Sequence, residues 1–221
     1  KGTFKVVVAI PGLLALVIFN SINNLLGGVF MALMDPYGLT LFSVEWWGVV
    51  LGVTSSGFII GGLIISKYGL GRNPLRTLLL VNVVIGILGM TFTIREWWWL
   101  YALGIWVFMC LIPAAEAAEQ TIIQRVVPFK RQGRVFGFAQ SVEAGAAPIT
   151  AFMIGPIAQF GIIPYMNSTE GKQALGWLLG AGEARGIALV FFIAGIISIA
   201  VALWAFTTKS YRLLTDFYKT T

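Results

Sequence analysis

Six apolar stretches, each about as long as a bilayer is thick, constrain this chain more than any other feature. A helix needs about 20 mainly apolar residues to cross the hydrocarbon core, where an unpaired backbone group is too costly to expose. We place the stretches at about 6–31, 46–66, 76–94, 98–122, 135–160 and 185–207. The sequence therefore predicts an all-α polytopic membrane protein with six transmembrane helices.

Turn-forming residues and two longer segments divide the chain between and after these stretches. The turn residues are Asp35–Gly38 after the first stretch, Gly69–Pro74 after the second, and Pro128 and Gly133 before the fifth. Residues 161–184 are expected to form an outer loop with room for a short interfacial helix, and 208–221 a cytoplasmic tail. The whole chain, 1–221, then forms one transmembrane bundle.

The distribution of lysine and arginine predicts the orientation, because these residues are enriched in cytoplasmic loops. An even number of spans places both termini on one side. That side holds Lys1, Lys5, Lys67, Arg72, Arg76, Arg125, Lys130, Arg131, Arg134, Lys209, Arg212 and Lys219. Only Arg95, Lys172 and Arg185 fall on the other side, with Glu183 among its acidic residues and Trp46, Trp97 and Trp177 among its tryptophans. We therefore expect both termini in the cytoplasm and an aromatic belt at the outer interface.

Composition excludes several other classes of protein. Hydrophobic residues make up 58% of the chain and charged residues only 11%, against about a quarter charged in soluble domains. The net charge of +6 comes from short basic clusters between apolar stretches, which disfavours a nucleic-acid partner. There is no histidine and one cysteine, Cys110, so we expect neither a metal site nor a bound cofactor.

Three carboxylates interrupt the apolar stretches. Glu116 and Glu119 lie in the fourth stretch and Glu143 in the fifth. At a rise of about 1.5 Å per residue, Glu116 is about 13 Å from Arg125, and Glu143 is equally far from Arg134. Both are therefore near mid-membrane, where an ionisable group is costly and marks a candidate functional site.

Amides extend these carboxylates into a polar track. Gln120 is one turn from Glu116, and Gln140 is one turn from Glu143. A carboxyl group in such a site can bind and release protons near neutral pH, so we predict a proton or substrate pathway. The alternative is a structural role, with each glutamate paired to backbone, to a partner's arginine or to water.

Two further features leave a structural and a functional interpretation open. Asn20, Asn23 and Asn24 share a face of the first helix, suited to interhelical hydrogen bonds or to lining a substrate path. Pro148 and Pro156 lack backbone donors in the fifth helix, which predicts a kink that is either static or a moving hinge.

Glycines recur at close-packing spacing in the second stretch. Gly48 and Gly52 form one pair separated by three residues, and Gly57 and Gly61 form another. Small residues at this spacing let two membrane helices approach closely. We interpret both pairs as packing and assign them no function.

The segment from Gly62 to Pro74 resembles the loop motif of major facilitator superfamily transporters, Gly-x-Leu-x-Asp-Arg-x-Gly-Arg, between the second and third helices of each half. Gly62, Lys67, Gly69 and Arg72 keep its character. Ser66 replaces the acidic residue, as is common in the second-half copy. The resemblance therefore implies the C-terminal half, without a gating salt bridge at Ser66.

The segment from Ile122 to Phe138 is similar to the loop between helices ten and eleven in the drug-efflux branch of that superfamily, which includes macrolide and enterobactin exporters. The matching residues are Gln124, Arg125, Val127, Pro128, Gly133, Arg134, Val135, Phe136 and Gly137. The resemblance implies a half built from inverted three-helix repeats (3+3). It also implies an N-terminal six-helix half as partner, and a small-molecule substrate between the halves.

Together these features predict secondary active transport, as proton-coupled efflux of an amphipathic small molecule, and not an enzyme. One alternative is a membrane-embedded enzyme acting on lipid-linked substrates, which the absence of histidine disfavours. Another is a non-transporting receptor or scaffold descended from a transporter, to which Ser66 gives modest support.

Overall fold

The computed structural model describes residues 2–180 and 184–220, and within them it is almost entirely helical and contains no β-strand. Six helical segments of the described chain are long and apolar enough to cross a membrane. They are Leu13–Leu41, Val44–Tyr68, Pro74–Thr91, Trp98–Val126, Phe129–Asn167 and Arg185–Thr207. The predicted number of spans and the all-α, multi-pass membrane class are confirmed. Lys1 and Glu183 lie outside the described residues.

The helices are numbered in chain order. They are α1 (Gly2–Ala9), α2 (Leu13–Leu41), α3 (Val44–Thr54), α4 (Ser56–Tyr68), α5 (Pro74–Thr91), α6 (Trp98–Val126), α7 (Phe129–Ile157), α8 (Ile163–Asn167), α9 (Thr169–Leu179), α10 (Arg185–Thr207) and α11 (Lys209–Thr220). A π-helical segment, Ala158–Ile162, joins α7 to α8. The second span is formed by α3 and α4 together, and the fifth by α7, the π-helical segment and α8.

The first span is displaced from its predicted limits. It begins at Leu13, because Gly12 takes a left-handed conformation (φ 80°) after Pro11 and separates α1 from α2. The predicted turn at Asp35–Gly38 is wrong, since α2 continues to Leu41. Tyr37 and Gly38 are buried, and a Cβ on Gly38 would lie 2.6 Å from the Trp47 ring. Tertiary packing therefore outweighs the local turn signal.

Segment 161–184 is mostly helical where it is described, so the predicted outer loop is wrong in its extent. The π-helical segment and α8 continue the fifth span as far as Asn167. The short helix expected within this segment exists as α9, and the Ser168 hydroxyl caps it by accepting a hydrogen bond from the Gly171 amide at 3.1 Å. Residues 181–183 lie outside the described chain. Gly133, predicted to lie in a loop, belongs to α7.

The helices pack mainly in three pairs, α2 with α7, α5 with α10, and α4 with α6, and α5 also packs on α6. Gly57 and Gly61 account for the α4 contact, because both face the α6 backbone at Trp106 and Cys110. A Cβ added to Gly48 or Gly52 would have no neighbouring atom of the described chain within 4 Å. The packing prediction is therefore confirmed for the second glycine pair only.

Two apolar clusters close the ends of the bundle. The first lies at the end of the bundle that holds α1 and α11 and includes Val7, Leu13, Leu75, Ile122 and Leu214. The second lies at the opposite end and includes Tyr37, Trp47, Phe92, Tyr101 and Phe191. Many large apolar side chains remain exposed outside these clusters, including Phe152 and Phe160, as expected for a surface in contact with lipid. The polar residues of the spans lie between the two clusters.

Candidate functional site

Helices α2, α6 and α7 bring the polar residues of the spans to two adjoining cavities. The asparagine cavity, about 280 Å³, has as its polar lining Asn20, Asn23, Asn24, Asn82, Ser198, Glu116 and Glu119. The glutamate cavity, about 400 Å³, has Asn24, Glu116, Glu119, Gln120, Gln140 and Glu143. Asn24, Glu116 and Glu119 line both cavities. All eight residues predicted for the pathway thus line this pair of cavities.

The spacing along α6 explains how one helix supplies three of these residues. Glu116 and Gln120 are four positions apart and both are exposed to the cavity, whereas Glu119 is half-buried. Residues four apart share one face of a helix. Glu143 reaches the same cavity from α7 and is only 7% exposed.

The close approach of α2 and α7 places Asn20 beside the carboxylates. These helices meet at Gly28, where an added Cβ would collide with the Ala147 carbonyl oxygen. The side chains of Asn20, Glu119 and Glu143 are close enough to interact with one another. The residues that approach each other are therefore far apart in sequence and adjacent only in the folded bundle.

Several polar atoms at this centre are buried without a hydrogen-bond partner among the described residues. They are Asn20 Nδ2, Glu143 Oε1, and both Asn23 side-chain polar atoms. An unsatisfied buried polar group costs about 1–3 kcal/mol. In addition, no lysine or arginine of the described chain lines either cavity. The site therefore has unused capacity to bind a proton, water or a polar or cationic group.

Two polar lining residues were not predicted from the sequence. Asn82 of α5 is buried and donates from Nδ2 to the Leu78 carbonyl oxygen at 2.9 Å. Ser198 of α10 is buried and donates to the Asn82 carbonyl oxygen at 3.4 Å. Each is a single polar residue within an apolar span, which is the signal that could have identified it.

The first loop motif lies away from these cavities. Gly62 and Lys67 belong to α4, and Gly69 (φ 70°) ends that helix, with its amide donating to the Ile65 carbonyl oxygen at 2.8 Å. The Lys67 ammonium lies 5.3 Å from the centre of the Tyr68 ring. Arg72 is exposed in the following turn. These residues form the α4–α5 connection, at the end of the bundle that holds α1 and α11.

The second loop motif joins α6 to α7 at the same end. The Gln124 carbonyl oxygen accepts a hydrogen bond from Gln132 Nε2 at 2.6 Å across the turn. The Arg125 guanidinium lies 4.8 Å from the centre of the Tyr218 ring and so links α6 to α11. Pro128 immediately precedes α7, and Gly133 and Arg134 lie in its first turns. This motif fixes the turn between α6 and α7 without lining the two cavities.

The two prolines of α7 have different structural contexts. The helix runs through Pro148 without a break, whereas the π-helical segment begins two residues after Pro156. A π-helical turn is a recognised way to relieve an interrupted hydrogen-bond ladder. The static and moving interpretations of this irregularity both remain predictions.

Arg185 forms a second polar centre, near the opposite end from the loop motifs, and it was counted from sequence only as an outer basic residue. Its side chain is 2% exposed at the start of α10. It donates to the Tyr37 hydroxyl at 2.7 Å, to the Thr93 carbonyl oxygen at 3.2 Å and to the Leu179 carbonyl oxygen. It also forms an ion pair with Glu96 at 3.6 Å. This arginine therefore joins α2, α9, α10 and the α5–α6 connection.

Comparisons with family models, with characterised proteins and with solved structures find no match to this chain. The similarity of the two loop motifs to major facilitator transporters therefore stays a prediction. Within residues 2–180 and 184–220, no group of three or more His, Cys, Asp or Glu side chains is placed to hold a metal ion. What the structure defines is a multi-pass helical membrane protein with acidic cavities between its helices.

Proposed function

We propose that this chain is the C-terminal half of a secondary active transporter that exports an amphipathic small molecule in exchange for protons. The acidic cavities support this proposal, and so does the similarity of both loop motifs to those of major facilitator transporters. An N-terminal six-helix half packs against this one, and the substrate binds between the halves. The lipid bilayer surrounds the assembly, and both termini of this half face the cytoplasm.

The observation that carries the proposal is the environment of Glu143. This carboxyl group is 7% exposed, its Oε1 has no hydrogen-bond partner among the described residues, and it lines a cavity of about 400 Å³. A static structural carboxylate is normally satisfied by hydrogen bonds or a cation. An unsatisfied one that faces a cavity can instead exchange a proton with water that enters.

The neighbouring residues suggest the path of that proton. Glu116 and Gln120 are exposed at the glutamate cavity, and the half-buried Glu119 lines this cavity and the asparagine cavity, which Asn20 also lines. A proton enters at Glu116, passes through Glu119 and water, and resides on Glu143. The nearby Asn20 amide then binds either the carboxyl group or a polar group of the substrate, so that substrate and proton compete for one site.

The test uses the full-length protein in proteoliposomes, with a pH gradient and a fluorescent macrolide as probe. Glu143→Gln and Glu116→Gln remove the proton-binding group and keep the shape of the side chain. We expect each to reduce pH-driven flux at least tenfold, with the helical circular dichroism spectrum unchanged. Glu170→Gln is the matched control, because Glu170 is exposed on α9 and remote from both cavities. Unchanged pH-driven flux in both cavity variants would contradict the proton role.

A further inference from the structure

A cleft of about 310 Å³ lies between α1 and the first turns of α7, outside the two acidic cavities. Lys5 from α1 and Arg131 and Arg134 from α7 line it. Phe4 of α1 contacts Phe138 of α7 edge to face, with ring centres 6.2 Å apart, and so holds the two walls together. The cleft therefore belongs to two packed helices and is not a groove between loose segments.

The charges of the cleft are not neutralised by the protein. Lys5, Arg131 and Arg134 are all exposed, and in the described chain none has a side-chain hydrogen bond or ion pair. No described carboxylate lines the cleft. Three cations held around one space attract an anion, and guanidinium groups match the geometry of phosphate oxygens especially well.

The position of the arginines on α7 adds to this attraction. They lie in the first two turns of a 29-residue helix whose first turn has no acidic residue. The N-terminus of a helix carries a partial positive charge, so basic residues there are unfavourable without an anion. A bound phosphate group would relieve this repulsion.

The remaining walls are apolar. Val6 and Ala9 of α1 and Val135 of α7 line the cleft beside the cations, and Thr3 adds a hydroxyl group. An inorganic phosphate ion gains no binding energy from apolar walls, whereas a phospholipid presents a phosphate next to glycerol and acyl chains. The cleft also lies just before the first span and at the start of the fifth, so we expect lipid headgroups beside it.

We propose that this basic cleft binds the phosphate of an anionic phospholipid headgroup. Arg131 and Arg134 hold the phosphate oxygens, Lys5 closes the site from α1, and the apolar walls contact the glycerol region. The site is separate from the acidic cavities and does not depend on the transport proposal.

The test is native mass spectrometry of the full-length protein, titrated in detergent with phosphatidylglycerol, with phosphatidylcholine or with inorganic phosphate. We expect one phosphatidylglycerol to bind at least tenfold more tightly than phosphatidylcholine. Arg131→Gln combined with Arg134→Gln should abolish that preference, and Lys5→Gln, alone, should weaken it. The control combines Arg76→Gln with Arg212→Gln, which removes the same charge from exposed residues outside the cleft.

Each outcome decides between explanations. The site is supported if the control variant keeps the preference for phosphatidylglycerol and the cleft variants lose it. If the cleft double variant and the control double variant lose the preference equally, diffuse surface charge causes it and the proposal is overturned. Equal affinity of the unmodified protein for phosphatidylglycerol and phosphatidylcholine would also overturn the proposal. Competition by millimolar inorganic phosphate would show that free phosphate is the ligand and overturn the lipid source. If the variant that combines Arg131→Gln with Arg134→Gln fails to fold, as judged by its melting temperature, the lipid preference of Lys5→Gln is compared with that of the control instead.

Discussion

Replacing Arg185 with methionine should destabilise the folded bundle substantially. Methionine is unbranched and apolar, so it replaces the aliphatic part of the arginine side chain but supplies neither a charge nor a donor, and it is too short to fill the space of the guanidinium group. The change removes the hydrogen bonds to Tyr37, Thr93 and Leu179 and the ion pair to Glu96.

The size of this loss of stability follows from the hydrogen-bond acceptors that Arg185 no longer satisfies. The carbonyl oxygens of Thr93 and Leu179 lose a buried donor, and an unsatisfied buried acceptor costs about 1–3 kcal/mol. The Tyr37 hydroxyl keeps its hydrogen bond to the Arg95 carbonyl oxygen at 3.3 Å. The Glu96 carboxylate is 50% exposed and is hydrated once the ion pair is lost. Neither group therefore adds much to the loss of stability. We expect Arg185→Met to lower the free energy of unfolding by about 2–6 kcal/mol.

The assay is equilibrium unfolding in mixed micelles, followed by tryptophan fluorescence. Arg95→Gln is the matched control: Arg95 is exposed, and its side chain makes a single hydrogen bond, to the Trp177 carbonyl oxygen at 3.2 Å. It should cost less than about 1 kcal/mol. Arg185→Lys should fall between the two, since an ammonium group cannot reproduce the planar fork of guanidinium. Equal losses in Arg185→Met and Arg95→Gln, or none in either, would refute the reasoning.

Two further predictions concern buried contacts. Gly61→Leu should destabilise the protein by about 1–3 kcal/mol, because an added Cβ meets the Cys110 carbonyl group, whereas Gly52→Leu should be nearly neutral; equal melting temperatures in detergent would contradict this. Trp47→Phe should cost more than about 1 kcal/mol, because it removes the hydrogen bond from Trp47 Nε1 to the Asp35 carboxylate at 2.9 Å and leaves part of the space of a buried indole ring unfilled. Chemical unfolding checks the second value, and an unchanged free energy of unfolding would contradict it.

The acidic site was partly predictable from sequence. Glu116 and Gln120 share a helical face by their spacing alone, and the short α6–α7 turn places Glu143 on a helix that follows directly. The approach of Asn20 to Glu143 could not be predicted, because it depends on the packing of α2 against α7 at Gly28. The proton role of these residues stays a prediction.

Two of the errors in the helix limits share one cause. Asp35–Gly38 has the composition of a turn, but Gly38 packs against Trp47 and Tyr37 packs against Tyr101 and Phe191. This burial stabilises the helix more than the local sequence favours a turn. Segment 161–184 contains polar residues typical of a loop, yet most of its described part is helical. Local turn preferences are weak compared with the packing of a whole helix.

The sequence alone determined that this chain is a helical membrane protein with six spans. Each span is long and apolar by itself, and in lipid a backbone must satisfy its hydrogen bonds locally, so no distant contact is needed to specify it. Only the tertiary structure decided which polar groups meet, that Arg185 is buried at the junction of four elements, and that Lys5 joins Arg131 and Arg134 in one cleft. These arrangements depend on the rotation and depth of each helix against its neighbours, which the hydropathy of a single span does not specify.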